Sequence, residues 1–352
     1  MRQTEVFDLV ASQFGRPFTK EELYEKLCEN REWKKNDSYF KSCIRNRKRR
    51  DMITQNGDFY TFIGPVKGNG SFMEDKASLL ETFSWTDEQF REAFSGGCDA
   101  FLSDPKVSIL DKLENARNSK EVNDLFKQAV EKSFDAASMG SFYLLRDTND
   151  PKTKKEQKDK GRDLVIECIK EAKPSIFATN ASFDDWHKCV CEKFIECFRD
   201  VQTKRGKTGP AWKYANSQKL LNLALKYLVV FTHKLTHPGP YDENDEFIKM
   251  GKPFLDNIDK LHMPIDSYII GALRVWASKH HEVPPLPKDN RRGKEDEYKP
   301  WTLWDEEDYT VSYFPMIQSF RSCGISPIKW ETKMWPVAKK LKLNTRSVLD
   351  YV

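Results

Sequence analysis

A dense run of cations is the feature of this chain best suited to binding anionic groups. The run consists of Arg45, Arg47, Lys48, Arg49 and Arg50, five cations in six positions. Guanidinium and ammonium groups neutralise phosphates, and this density exceeds what solubility requires. Lys41 and Ser42 lie one helical turn earlier, where side chains would be nearer to base edges. The segment predicts contact with nucleic acid, although a solvated helix end has a similar composition.

A histidine followed closely by a carboxylate is a second candidate. His262 and Asp266 are four residues apart, close enough for the carboxylate to accept a hydrogen bond from the imidazole. Such a pair would suit acid–base catalysis, because the carboxylate raises the basicity of the ring. The alternative is structural. Pro264 and Ile265 begin a predicted helix, and a carboxylate in a first helical turn is stabilised by free N–H groups and the helix dipole.

Three polar residues interrupt an otherwise apolar helix predicted over residues 215–233. Lys219, Asn222 and Lys226 fall at i, i+3 and i+7, so they share one face. This stripe would suit a pocket for an anion or a phosphate. The alternative is that the stripe faces solvent, as the polar side of a surface helix does. If the helical part of the chain has a site, we expect it between this helix and the one that follows Asp266.

An arginine and a histidine suggest a different chemistry. Arg274 and His281 are seven residues apart in the segment RVWASKHH and would share one face of a helix. This spacing resembles the short motif of HEPN-type ribonucleases, an all-helical family. The resemblance implies that the two side chains act on an RNA phosphodiester at a site formed by two protomers. A nuclease is therefore the alternative to a protein that only binds nucleic acid.

No motif for a metal or a cofactor stands out. The chain contains no G-x-x-x-x-G-K-[ST], no G-x-G-x-x-G and no G-x-S-x-G segment, and its eight cysteines form no C-x-x-C pair. His233 and His237 have the spacing of a metal-binding pair, but the sequence from Thr236 to Pro240 predicts that the helix ends there. We therefore predict no bound metal and no cofactor.

The elements around the basic run have a recognisable order. Apolar stripes predict two helices, the second opened by a capping box of Thr19 and Glu22, and the basic run ends a third. Asn56-Gly57 predicts the turn of a hairpin that follows. Three helices and a hairpin within residues 1–64 resemble the winged-helix family. The resemblance implies a DNA-binding module with its third helix in the major groove, although family members also bind RNA or protein.

The chain beyond a glycine-rich stretch at residues 64–71 reads as helical almost throughout. We therefore predict a mainly α protein, in which a small α/β winged helix-turn-helix domain at 1–64 precedes a large all-α domain at 75–352. A charged, proline-containing break near 148–160 is a candidate subdivision of the larger domain. That domain would form a homo-oligomer, bind a protein partner or bind a ligand.

Composition narrows the class of protein. Residues 31–50 hold nine cations and two anions, whereas the net charge of the 352-residue chain is only +4, so the positive excess is local. The first ten residues lack the apolar stretch of a secretory signal, and the most apolar run, 220–231, is too short to span a bilayer. We expect a cytoplasmic protein with free thiols and no membrane contact, whose partner is nucleic acid, above all double-stranded DNA.

Overall fold

The structure of the protein is a computed structural model. It describes residues 3–14, 16–30, 33, 39–41, 43–44, 53–56, 58–62, 79–104, 107–138, 151–199, 212–237, 245–279, 286–287, 299–341 and 343. Within these residues the chain is mainly helical. It divides into two compact units, which we call the N-terminal unit (Met1–Ser78) and the helical unit (Leu79–Val352).

The N-terminal unit begins with two helices. They are α1 (Gln3–Ser12) and α2 (Lys20–Glu29), and residues 39–41 and 43–44 are also helical. The capping box predicted for α2 is confirmed. The N–H of Glu22 donates to Thr19 Oγ1 (3.2 Å), and the N–H of Thr19 donates to Glu22 Oε2 (2.7 Å). These two bonds satisfy backbone donors that a helix start leaves open.

A hairpin follows, formed by β1 (Ile53–Asn56) and β2 (Phe59–Phe62). Asn56 pairs with Phe59, so Asn56 belongs to the strand, not to the turn as the sequence suggested. The loop between α1 and α2 joins this hairpin through Phe18, whose N–H donates to Tyr60 O (2.8 Å) while Tyr60 N–H donates to Phe18 O (2.7 Å). The bridge ties the hairpin to the helices.

One apolar core holds the N-terminal unit together. Its buried residues come from both helices, from the helical residues 39–41 and 43–44, from the hairpin, and from Phe18 and Trp33. They are Val6, Phe7, Val10, Ala11, Phe18, Leu23, Leu27, Trp33, Phe40, Cys43, Ile44 and Tyr60. Five of these buried side chains are aromatic: Phe7, Phe18, Trp33, Phe40 and Tyr60.

The helical unit contains twelve α-helices within its described residues. They are α3 (Asp87–Glu92), α4 (Phe94–Leu102), α5 (Leu110–Glu114), α6 (Ser119–Ala137), α7 (Pro151–Lys170), α8 (Asn180–Cys197), α9 (Tyr214–Thr236), α10 (Glu246–Asp256), α11 (Ser267–Lys279), α12 (Glu306–Asp308), α13 (Phe314–Ser322) and α14 (Pro327–Lys340). Short 3₁₀ helices span Thr82–Ser84, Pro174–Phe177, Ile258–Lys260 and Trp301–Leu303, and a π turn (Tyr309–Tyr313) joins α12 to α13.

Helix α9 is the centre of the helical unit. It packs against α6, α8 and α10, and nearly every one of its side chains is buried. A helix that is covered on all sides must either be apolar all round or pair its polar groups internally. Helix α14 forms a second layer against α4 and α11. No helix in the described part of the chain is long and apolar enough to cross a membrane.

The subdivision expected near residues 148–160 is not found. Residues 151–160 are helical, forming the first half of α7, and Leu79–Val352 is one compact unit. Pro151 stands at the first helical position, where its missing N–H costs nothing. In this helix Lys155, Glu156 and Lys160 are exposed, while Val165 and Ile169 are buried.

Candidate functional site

A cavity of about 530 Å³ lies inside the helical unit. It is lined by α4, α6, α9, α14, the start of α11 and the 3₁₀ helix Trp301–Leu303, and it is partly open to solvent. Its volume lies in the range of pockets that hold a drug-sized molecule. Aromatic rings form much of the wall, and three lysines and two carboxylates also line it: Lys132, Lys219, Lys226, Asp266 and Glu331.

Lys219 lies on the wall contributed by α9. Its residue is 7 % exposed, and its Nζ is 4.0 Å from Asp266 Oδ2 and 4.1 Å from the centre of the Trp301 ring. At 4.0 Å the carboxylate attracts the ammonium without a hydrogen bond, while the ring face adds a cation–π attraction. The Asp266 carboxylate and the Trp301 ring thus both contribute to holding this buried ammonium at the cavity surface.

Asp266 lies at the start of α11. Its Oδ1 accepts hydrogen bonds from the N–H groups of Tyr268 (2.9 Å) and Ile269 (3.0 Å), and its Oδ2 accepts one from Trp335 Nε1 (3.1 Å). The first two bonds are those of a helix N-cap, the structural alternative noted for this residue. Asp266 thus fixes the orientation of Trp335 and places a negative charge near Lys219.

Lys226 and Glu331 form an ion pair beside the same cavity. Lys226 Nζ lies 2.7 Å from Glu331 Oε2, and their side chains are 0 % and 2 % exposed. Lys226 Nζ also lies 3.9 Å from the centre of the Phe101 ring. Among the described residues, neither Lys226 Nζ nor Glu331 Oε2 has a well-directed hydrogen-bond partner. Burial raises the pKa of Glu331 to about 7, against the opposing attraction of Lys226.

The three polar residues predicted to share one face of α9 do not all face the cavity. Lys219 and Lys226 line the cavity, whereas Asn222 does not. At about 100° per residue Asn222 is rotated by about 60° from Lys219. Its Nδ2 donates to the hydroxyl oxygen of Tyr313 (2.8 Å), and its Oδ1 accepts from His187 Nε2 (2.7 Å). All three residues are buried, so the solvent-facing alternative is wrong.

His262 does not pair with Asp266, so that predicted pair is wrong. The Nε2–H of His262 instead donates to Asp184 Oδ1 (2.6 Å) of α8. Asp184 also accepts from Gln318 (2.6 Å) and from Arg321 Nη1 (2.9 and 3.1 Å). Four hydrogen bonds from three donor groups on one carboxylate link α8, α13 and the segment before α11.

Both histidines of this region are neutral. Complete burial, together with nearby positive charge, holds the pKa of His187 and of His262 well below the ordinary 6.5. His187 uses both nitrogens, since its Nδ1 accepts from the Tyr309 hydroxyl (2.8 Å). His262 Nδ1 has no hydrogen-bond partner among the described residues. A proton on Nδ1 would have no hydrogen-bond acceptor among these residues, which agrees with a neutral ring.

The remaining predicted residues lie apart from this cavity or outside the described residues. Arg274 is half-buried on α11, and His281 is outside the described residues. Lys41 is exposed on the helical segment of the N-terminal unit. The other residues predicted to bind nucleic acid also lie outside the described residues: Ser42, Arg45, Arg47, Lys48, Arg49 and Arg50.

Comparison with protein-family models, with curated proteins and with solved structures found no match for this chain. The class of protein is thus defined by the structure alone: a mainly helical chain with a small N-terminal unit and a charged, aromatic-walled cavity in its helical unit.

Sequence reasoning missed several residues of the cavity and of the histidine network. Glu331 and Trp335 belong to a helix predicted only as core, and no motif indicated Asp184 or Arg321 as site residues. Glu331 is more than a hundred positions from Lys226 in sequence, so no local spacing indicates their pairing. Glu331 is the only acid in residues 327–340 and lies between Trp330 and Thr332, and this was the available signal, because buried acids require a partner.

Proposed function

We propose that the protein binds nucleic acid, above all double-stranded DNA, through its N-terminal unit. The observation that carries this proposal is the burial of Phe40, Cys43 and Ile44 immediately before the basic run. These three side chains anchor a helical segment in the core of the unit, while Lys41 on the same segment is exposed. Phosphate-binding side chains are most effective when a rigid element positions them.

The order of elements in the N-terminal unit also supports the proposal. Two helices, a third helical segment and a hairpin follow one another and share one core. The Phe18–Tyr60 bridge holds the hairpin beside the helices, as a wing requires. This arrangement is compatible with the winged-helix resemblance, which implies that the third helix enters the major groove.

The residues divide between two roles in this proposal. Five cations contact phosphates, and they are Arg45, Arg47, Lys48, Arg49 and Arg50. Lys41 and Ser42 lie nearer to the bases. The segment from Ile53 to Phe62 contains Asp58 and no cation, so the hairpin contributes little to phosphate binding. Binding therefore depends on salt more strongly than on DNA sequence.

A salt-titrated binding assay tests the proposal. The full-length protein and a variant with Arg45, Arg47 and Arg49 changed to glutamate are titrated into a fluorescent DNA duplex at several salt concentrations. Each lost phosphate contact lowers the slope of log affinity against log salt by about 0.9. We expect the triple variant to lose nearly all measurable affinity at physiological salt and about three units of slope.

A variant of equal charge serves as the control. Lys112, Lys120 and Lys127 are exposed lysines of the helical unit, and changing them to glutamate alters the net charge by the same amount. This control should bind DNA like the wild type. Equal affinity and equal salt slope in the arginine variant and the wild type would refute the proposal, and so would equal losses in both variants.

A further inference from the structure

One face of the central helix α9 borders the cavity of the helical unit. Within residues 214–232 every residue is buried except Leu223, which is partly exposed. Leu223 lines the cavity, and so do Lys219 and Tyr227, which lie about one helical turn to either side of it. An apolar side chain in the middle of the most buried helix is thus left uncovered where it borders the cavity.

Aromatic residues form much of the wall around Leu223. The described lining includes the residues Phe101, Tyr227, Tyr268, Trp301 and Trp335. Polar contacts hold both tryptophan rings in place. Trp335 Nε1 donates to Asp266 Oδ2 (3.1 Å), and the centre of the Trp301 ring lies 4.1 Å from Lys219 Nζ. Rings that are fixed before binding offer a flat apolar surface and lose little side-chain entropy when a ligand covers them.

The protein itself engages the three ammonium groups of the lining. Lys226 Nζ lies 2.7 Å from Glu331 Oε2, and Lys132 Nζ donates to the carbonyl oxygen of Val107. Lys219 Nζ lies 4.0 Å from a carboxylate oxygen at the start of α11 and also contacts a tryptophan ring. An anionic ligand would compete with these partners, and a cationic ligand would be repelled by three ammonium groups. The lining therefore favours a ligand without charge, which also loses less hydration on entry.

We propose that the cavity of the helical unit binds an uncharged, flat aromatic molecule, which covers Leu223 and packs against the rings of the wall. A volume of about 530 Å³ is sufficient for fused or linked rings. Covering the apolar surface of the lining supplies the free energy of binding. Ser267 and Thr302 add uncharged hydroxyl groups to the lining, and a hydroxyl can donate to or accept from a neutral polar substituent. This binding is independent of nucleic-acid binding by the N-terminal unit.

Two fluorescent probes with matched rings test the proposal on the full-length protein. The first is N-phenyl-1-naphthylamine, which is uncharged, and the second is 8-anilinonaphthalene-1-sulfonate, which has the same rings and a negative charge. We expect the neutral probe to bind saturably at one site per chain. The sulfonate should bind at least about tenfold more weakly, or by about 1.4 kcal/mol, because it loses hydration and competes with carboxylates for the ammonium groups. Equal or tighter binding of the sulfonate would overturn the proposal, as would binding of the neutral probe without saturation.

Variants that fill the cavity locate the binding site. Ala136 of α6 is partly exposed and lines the cavity, so Ala136→Phe should occupy space that the ligand needs and weaken binding of the neutral probe at least about tenfold. Ala181→Phe adds the same ring at an exposed position of α8 outside the described lining, and its affinity should stay within about twofold of wild type. Leu223→Trp fills the cavity from α9 and is the second variant if Ala136→Phe does not fold, as judged by circular dichroism. Wild-type affinity for the neutral probe in a folded variant with a filled cavity would overturn the proposal.

Discussion

Lys226 Nζ and Glu331 Oε2 lie 2.7 Å apart in the interior of the helical unit, where both side chains are almost fully buried. This pair joins α9, the central helix, to α14 in the second layer. Its charges lie in surroundings that solvate ions poorly, so their mutual attraction must offset two desolvation costs. The pair also lies at the wall of the cavity, so it connects the packing of the fold with the electrostatics of the cavity.

Removing one partner of this pair should destabilise the protein strongly. Lys226→Met leaves the Glu331 carboxylate buried without its cation, and at pH 8 we expect the free energy of unfolding to fall by about 3 kcal/mol. The double variant Lys226→Met/Glu331→Leu should recover most of this loss, because apolar side chains of similar size have no charge to desolvate. Urea denaturation of the single and double variants measures both effects.

A partly exposed pair on the same helix is the matched control. Lys234 Nζ lies 2.8 Å from Asp99 Oδ1, with side chains that are 22 % and 47 % exposed. Lys234→Met should cost less than about 1 kcal/mol, because water replaces the lost partner. If Lys226→Met and Lys234→Met had equal effects, the burial of the Lys226–Glu331 pair would be without energetic consequence.

Stability should depend on the protonation of Glu331. Its pKa is about 7 in the folded protein and near the ordinary 4.5 in the unfolded chain, so the folded state binds the proton more tightly. The contribution of this group to the free energy of unfolding therefore falls as pH rises from about 4.5 to about 7. Lys226, Lys219 and Asp266 are the charged groups acting on it.

Glu331→Gln isolates this contribution, since glutamine has similar size and does not titrate. The stability of the wild type relative to this variant should decrease between pH 4.5 and pH 7 and stay constant above that interval. Urea denaturation at half-unit pH steps provides the measurement. A difference that is independent of pH, or one that increases with pH, would contradict the raised pKa of Glu331.

The buried histidines predict acid sensitivity of the opposite sign. The pKa of His262 is lowered well below 6.5 by burial and by Arg321, so below pH 6.5 the unfolded chain takes up a proton that the folded protein does not. The contribution of His262 to the free energy of unfolding therefore falls as pH decreases, by up to about 1.4 kcal/mol per pH unit. His187, with its pKa also lowered, adds in the same direction.

His262→Gln tests this contribution while retaining a donor for Asp184. The amide takes the place of Nε2–H and does not titrate, so the variant should lose stability less steeply than the wild type below pH 6.5. Denaturation curves from pH 7 to pH 5 measure the two slopes. Parallel slopes would show that His262 is protonated as readily in the folded protein as in the unfolded chain.

Two helical glycines should respond oppositely to the same change. A Cβ at Gly251 of α10 would overlap Thr232 Oγ1 of α9, whereas a Cβ at Gly96 of α4 would meet no atom within 4 Å. Gly251→Ala should lower the free energy of unfolding by about 1–3 kcal/mol, because the Thr232 side chain or the two helices must shift. Gly96→Ala should raise it by about 0.5–1 kcal/mol, because alanine favours the helix. Thermal and urea denaturation of both variants provides the comparison.

Local patterns predicted most of the helical architecture correctly. Apolar periodicity indicated the helices of the larger unit, because one turn of a helix brings residues three and four apart onto the same face. The Thr19–Glu22 capping box is likewise a matter of spacing along the chain, and it is present. The predicted break at 148–160 failed because charge alone does not end a helix. Lys155, Glu156 and Lys160 of α7 are exposed while Val165 and Ile169 pack inward.

The sequence by itself determined that the chain is mainly helical, that its cations are concentrated in residues 45–50, and that α9 carries Lys219 and Lys226 on one side. Only the tertiary structure decided their partners. Glu331 opposite Lys226, and Asp184 in place of Asp266 as the partner of His262, come from helices distant in sequence. Helical periodicity depends on residues that are close in sequence. A buried charge is stable only beside a counter-charge, and the packing of the helices decides which residue supplies it.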